Sequence, residues 1–86
     1  MAPIFVSRNV IADRVFRVGE DQNHLKMMIK QPNMTNWIEG IAFGLGGCKE
    51  FISNGKPFDV AYHVELNEWN DKKRLQLNIK DLKFQA

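Results

Sequence analysis

The chain has 86 residues, of which 44% are hydrophobic and 26% are charged, and its formal net charge at pH 7 is +2. This length and balance are typical of one small soluble domain, and no stretch approaches the roughly 18 apolar residues that a membrane-spanning helix needs. A positive charge this small permits a polyanionic partner but does not require one.

The first three predicted elements are β-strands. Residues 9–18 alternate between apolar and polar side chains, and the break around Asp13 predicts a bulge in a long, bent strand. A turn over residues 19–23 precedes residues 24–31, which alternate cleanly. The β-prone stretch 35–43 predicts the third strand.

The second half begins with a helix and ends with a hairpin. Within residues 44–55 the apolar side chains Leu45, Cys48, Phe51 and Ile52 recur at helical spacing, which predicts about two turns that end at an Asn-Gly stop. Residues 58–66 and 75–79 then alternate, and the turn NEWNDK joins them.

The resulting order is β-β-β-α-β-β. A closed barrel would bury one apolar face of five strands and would leave no exposed strand edges. The oligonucleotide/oligosaccharide-binding (OB) fold has this order, so the predicted fold class is all-β with one short helix, a five-stranded OB-fold barrel that forms a single domain over residues 1–86. The side chains expected to face its interior are Leu25, Met27, Ile29, Val60, Tyr62, Val64, Leu75, Leu77 and Ile79.

The hairpin segments also carry a family resemblance. F-D-V-A-Y at 58–62, L-N-E-W-N at 66–70 and L-Q-L-x-I-K-D at 75–81 closely resemble the end of the OB domain of the RecJ family of single-stranded-DNA-specific exonucleases. Weaker matches in strand two and before the helix extend the resemblance from about Phe5 to Lys83. One departure is Asp71, where the family usually has glycine, but aspartate also tolerates the left-handed turn geometry.

The resemblance implies a fragment of a larger nuclease of DNA repair and recombination. Such a parent has a DHH-type core that uses manganese or magnesium and degrades single strands from the 5′ end. The sequence has no D-H-H run, so we expect neither catalysis nor a cofactor in this fragment. The implied role is a module that holds single-stranded DNA for the nuclease, and the partners are that DNA and the catalytic domains of the parent chain.

Single-strand binding requires cations for the phosphates and flat side chains for the bases, and OB folds bind on the outer surface of strands two and three. The bulge leaves the direction of the arginines in strand one open. The candidate nucleic-acid-binding residues are Arg17, Lys26, Lys30, Trp37, Lys72, Lys73 and Arg74.

Several of these residues have structural alternatives. Lys26 and Lys30 can be ordinary solvated lysines, and Trp37 can close the end of the barrel instead of stacking on a base. For Trp69 we expect an indole that folds back over the barrel and fixes the hairpin tip, so that the three cations behind it carry the function. The alternative for the whole domain is a structural or docking module that braces the nuclease or receives a partner such as the single-strand-binding protein.

Other reactive residue types offer no site. Cys48 is the only cysteine, which excludes an internal disulfide and a cysteine metal site, and we expect it to be buried and inert on the helix. His24 and His63 are far apart and lack ligand spacing, so no metal site is predicted. The first residues lack the pattern of a secretory signal, and the expected compartment is the cytoplasm.

Overall fold

Five strands and one short helical segment follow one another in the predicted order. The computed structural model describes residues 3–84, apart from the side chain of Trp69. The elements are β1 (Phe5–Val18), β2 (His24–Lys30), β3 (Ile38–Ala42), a 3-10 turn (Gly46–Cys48), α1 (Lys49–Ser53), β4 (Phe58–Trp69) and β5 (Lys72–Phe84).

The strands close into a barrel in the order β1-β2-β3-β5-β4, in which β4 pairs back with β1. All pairs are antiparallel except β3 with β5, which are parallel. This closed barrel with one short helix confirms the predicted OB fold. No helix within residues 3–84 is long and apolar enough to cross a membrane.

The length of β1 lets it pair with β4 in its first half and with β2 in its second half. The β1–β2 register shifts between Asp13 and Phe16, and Arg14 in this gap has a positive φ of 51°. The predicted bulge is therefore confirmed, although β1 begins at Phe5 instead of residue 9. A second shift, between Ser7 and Val10, lies in the part that pairs with β4.

The core fills the barrel interior. Its buried cluster is Val10, Leu25, Met27, Ile29, Ala42, Ile52, Phe58, Val60 and Ile79. Gly40 of β3 lies where a Cβ atom would come within 2.9 Å of the Cδ1 atoms of Ile29 and Ile79. Glycine at this position therefore lets two isoleucines from different strands pack directly beneath β3.

Two of the nine expected interior side chains are exposed, and Tyr62 is only half-buried. Val64 is 45% and Leu75 is 53% exposed, so the prediction for these two residues is wrong. The register gives the reason, because the pairing of β4 with β1 begins at Tyr62 and the pairing of β3 with β5 begins at Gln76. Beyond those positions the β4–β5 hairpin extends past the barrel, and among the described residues no further strand covers its apolar side.

The helical segment packs at the barrel through Ile52, which is fully buried with Phe58 of β4. Phe51 was expected on the apolar side of the helix, but it is exposed, with its ring centroid 5.4 Å from that of Phe84. Cys48 was expected to be buried and is only partly so, packed against the edge of the core. Consecutive residues of an α-helix point about 100° apart, so Ile52 can face the core while Phe51 points away from it.

Candidate nucleic-acid interface

The outer surface of β2 forms the centre of the candidate interface. Leu25, Met27 and Ile29 are buried, and the alternate residues Lys26 and Met28 point outward. Residues directly opposite each other in an antiparallel pair share one side of the sheet. The register therefore adds neighbours to what we call the outer face, and these are Asp13 and Glu39 beside Met28, and Phe16 and Ile41 beside Lys26.

Glu39 joins two cations that are distant in sequence. Its carboxylate oxygens lie 3.6 Å from Lys26 Nζ and 3.8 Å from Arg74 Nη1, and its side chain is only 13% exposed. The Nε2 group of Gln76 donates a 2.7 Å hydrogen bond to Glu39 Oε1. Glu39 is thus held in place by its neighbours, and it fixes Lys26 and Arg74 on one surface.

Trp37 is exposed on the same surface, just before β3. The ammonium group of Lys30 lies over the indole, 5.0 Å from the ring centroid, within the range of a cation–π interaction. The indole borders a small cleft with Arg14 and Met28. It also borders a cleft of about 490 Å³ that reaches Arg74. Trp37 therefore stands between cations that come from β1, β2 and β5.

The hairpin tip carries the remaining candidate cations. Lys72 is paired with Trp69 across the tip, and Lys73 Nζ lies 3.7 Å from a carboxylate oxygen of Glu68. Lys73 also borders the larger cleft beside Trp37. The proposed folding of the Trp69 indole onto the barrel concerns a side chain outside the described part of the structure.

The turn at the tip consists of two residues, Asn70 and Asp71, with φ values of 50° and 62°. Positive φ at both central positions is the geometry of the tight hairpin turn that follows the strand twist. Asp71 thus adopts the left-handed conformation expected of it where the family usually has glycine. The two strands are longer than predicted, because this turn needs only two residues instead of six.

Arg17 does not join the outer face. It is paired with Leu25, which is fully buried, so it shares the side of the sheet opposite to Lys26. The bulge causes this orientation, because its one extra residue reverses which side chains of β1 point outward. Arg14, within the bulge, borders the cleft with Trp37 instead.

Two exposed aromatic residues on this surface were missed by the sequence reasoning. Phe16 is 57% exposed and is paired with Lys26, and Phe43 is 56% exposed with its ring 5.3 Å from that of His24. Alternation in the third strand could have placed Phe43 on the side of Glu39. The bulge hides the corresponding signal for Phe16.

The described part of the chain does not offer a metal centre. Within residues 3–84 no group of three or more His, Cys, Asp or Glu side chains is placed to hold a metal ion. Glu39 is surrounded by two cations and an amide donor, which suits an ion pair. The outer face and its surroundings bring together cations, an indole and two phenyl rings.

Comparisons with known proteins bear on the family and the fold of the chain. A family model described as RecJ OB domain matches residues 1–81. The single-stranded-DNA-specific exonuclease RecJ of Bacillus subtilis (strain 168) is 30% identical over 79 residues, which are 92% of this chain but 10% of that protein. The chain thus spans about a tenth of the length of this curated relative. The crystal structure of the mitochondrial single-stranded DNA binding protein Rim1 from S. cerevisiae matches with a TM-score of 0.71 and 20% identity, over 98% of this chain and 96% of that one, and it supports the fold.

Proposed function

The chain belongs to the RecJ OB domain family, and from this premise we propose that it binds single-stranded DNA on its outer face and holds it for an attached 5′-to-3′ exonuclease. The observation that carries the proposal is the exposed indole of Trp37 between Lys30 and the cleft that leads to Arg74. A flat side chain flanked by cations supplies both contacts that a single strand requires.

The phosphates would be bound by cations from three strands. Lys26 and Arg74 meet at Glu39, Lys30 lies over Trp37, and Arg14 borders the adjacent cleft. These four side chains could neutralise three or four phosphates, so the logarithm of the affinity should fall by roughly 2 to 3 for each tenfold rise in salt. Such a domain binds weakly by itself, with a dissociation constant that we expect to be micromolar or higher at low salt.

The bases would stack on Trp37, which contributes roughly 1–3 kcal/mol per stacked base irrespective of sequence. Stacking of this kind lets a module accept any strand that an exonuclease must degrade. The manganese or magnesium that the resemblance to the RecJ family implies would be bound in the catalytic core of a parent enzyme. The proposed role of this domain is thus to bind the DNA substrate during repair and recombination, while the catalytic core of the parent carries out the hydrolysis.

Fluorescence anisotropy with a labelled oligo-dT of about 12 nucleotides, within the usual site size of one OB fold, tests the proposal. Neutralising the outer-face cations in the variant Lys26→Gln/Lys30→Gln/Arg74→Gln should abolish most binding at low salt. The matched control Lys49→Gln/Lys56→Gln/Lys83→Gln removes three positive charges outside the outer face and should retain more of the binding at low salt. A folded wild-type domain that does not bind at low salt would contradict the proposal.

A second candidate function, docking onto the other domains of the parent, is favoured by one observation. Val64, Leu66 and Leu75 form an exposed apolar surface on the hairpin, which we call the apolar hairpin face. It continues into an apolar opening of the barrel of about 360 Å³, bordered by Met34 and Ile38. Water-exposed leucines clustered in this way are typical of interaction surfaces.

Hydrogen exchange can test the docking function. In a full-length RecJ-like exonuclease, amides of the hairpin should exchange more slowly than in the isolated domain, because a covering domain would exclude water. The variant Leu66→Ser/Leu75→Ser should remove that difference. Equal exchange rates in the isolated domain and in the full-length enzyme would contradict the docking function and leave DNA binding as the proposed function.

A further inference from the structure

Phe16 lies on β1 and Phe43 directly follows β3, the two strands that neighbour β2, and both residues are at the end of the outer face away from Trp37. We propose that these two phenyl rings form a second base-stacking subsite for single-stranded DNA, an inference that rests on the proposed function. Each ring is more than half exposed, whereas phenylalanine is usually among the buried residue types. Neither ring belongs to the buried core cluster, which is formed by other side chains inside the barrel.

The position of Phe43 is fixed by the loop that follows it. The backbone N–H of Gly44 donates a 2.8 Å hydrogen bond to Nδ1 of His24, and the ring of His24 meets the Phe43 ring edge-on at 70°. A further bond, from the N–H of Gly46 to the carbonyl of Asn23, is also 2.8 Å long. Because the loop is tied to β2 before any ligand arrives, little ordering would be needed when a base stacks there.

Phe16 is fixed by its strand. It is the first residue of β1 that pairs with β2 after the bulge, and its partner is Lys26. The bulge therefore decides that this phenyl ring, and not Arg17, points toward the outer face. Phe16 thus has a lysine as its direct neighbour across the strands, and Trp37 at the other end of the face likewise lies beside a lysine, Lys30.

The spacing of the two aromatic positions fits a strand that follows β2. Phe43 contacts His24 and Trp37 borders a cleft with Met28, and these positions are four residues apart on β2. Four residues of a strand span about 13 Å, which is more than the ~3.4 Å rise between neighbouring stacked bases. Bases at the two positions would thus belong to separate stacks, and Lys26 between them could bind an intervening phosphate.

Charge favours a nucleic acid over a protein as the occupant. The apolar hairpin face has leucines and valine at its centre, whereas Phe16 is paired with Lys26 and Phe43 contacts His24, two residues before Lys26 on β2. Phenyl rings interspersed with cations are the chemistry by which single strands are bound without sequence preference. The alternative is that a docking protein covers the two rings. A comparison of normal with abasic strands separates the two possibilities, because only base stacking makes these rings contribute more to binding of the normal strand.

The experiment compares two labelled oligonucleotides of equal length, one with thymine bases and one with abasic sugars. Phe16→Ala and Phe43→Ala should each weaken oligo-dT binding about fivefold or more and should leave binding of the abasic strand unchanged. Phe51→Ala is the matched control, since Phe51 is equally exposed but lies on the helix. If an alanine variant does not fold, Phe16→Leu or Phe43→Leu takes its place, because leucine retains the apolar bulk but has no flat ring. These leucine variants should lose affinity for oligo-dT in the same way.

The outcomes distinguish the second subsite from the function on which it rests. If wild type binds oligo-dT but the Phe16 and Phe43 variants behave like the Phe51 control, the second subsite is refuted and the rings are free for a protein partner. An equal loss on both oligonucleotides would also refute it, because stacking cannot act on an abasic strand. If folded wild type binds neither strand, the proposed function itself fails.

Discussion

Replacing Glu39 with glutamine should strengthen single-strand binding. Glu39 is the carboxylate between Lys26 and Arg74 on the outer face, and a phosphate held by either cation would lie about 7 Å from it. At that distance two negative charges repel by about 0.6 kcal/mol in water and by about 2.4 kcal/mol at an effective dielectric constant of 20. Both cations are well exposed, so the lower value is the better guide.

The expected result is therefore an affinity about threefold higher at low salt, since 0.6 kcal/mol is close to RT. The gain should shrink toward physiological salt, where the Debye length is about 8 Å. Glutamine can still accept the hydrogen bond that Gln76 donates. Losing two ion pairs whose cations are exposed should cost no more than about 2 kcal/mol of folding free energy, at up to about 1 kcal/mol for each pair.

Anisotropy titrations with oligo-dT at two salt concentrations measure this effect. Glu50→Gln is the matched control, because Glu50 is exposed on α1 and its replacement changes the net charge equally. If Glu39→Gln gains no more than Glu50→Gln, then Glu39 does not oppose the bound phosphates. A weaker affinity than wild type would mean that the carboxylate is needed to orient Lys26 and Arg74.

Three further predictions concern stability and can be measured by denaturant unfolding. Leu77→Ala should lower the free energy of unfolding by about 2–4 kcal/mol, because Leu77 is buried. Leu75→Ala should lower it by less than about 1 kcal/mol, because Leu75 lies beyond the barrel. Similar losses for the two variants would contradict the β3–β5 register. Gly40→Ala should cost about 1–3 kcal/mol, because its new methyl group would crowd two isoleucines at 2.9 Å, and a neutral result would show that the core can shift. Asp71→Gly should stabilise the domain by up to about 1 kcal/mol, because glycine adopts the φ of 62° without strain; a loss of stability would show that the aspartate side chain supports the turn.

The bulge in β1 shows what alternation can and cannot predict. A break in period two at Asp13 identified the bulge, because one irregular residue interrupts an otherwise regular pattern. The same break removes the information about which later residues point outward, since a shift by one residue exchanges the two faces. The direction of Arg17 consequently stayed open, Phe16 was not identified, and only the pairing with β2 places the two residues.

The hairpin shows a different limit. Period two correctly put Val64 and Leu75 on the side of the core residues, but it contains no information about where the neighbouring strands end. Whether an inward-pointing side chain of the hairpin is covered depends on where β1 and β3 end, and the alternation within β4 and β5 does not reveal those positions. Glu39 likewise gains its two cations from β2 and β5, a meeting that depends on the parallel β3–β5 register.

The modest net charge of +2 is compatible with the proposed role once tethering is considered. An attached module meets its strand at an effective concentration that short linkers can raise to the millimolar range. A weak, salt-sensitive affinity would then suffice for the proposed retention of substrate, and a tighter one would oppose movement of the strand toward an attached nuclease. Glu39, by offsetting part of the charge of Lys26 and Arg74, would keep the grip in that weak range.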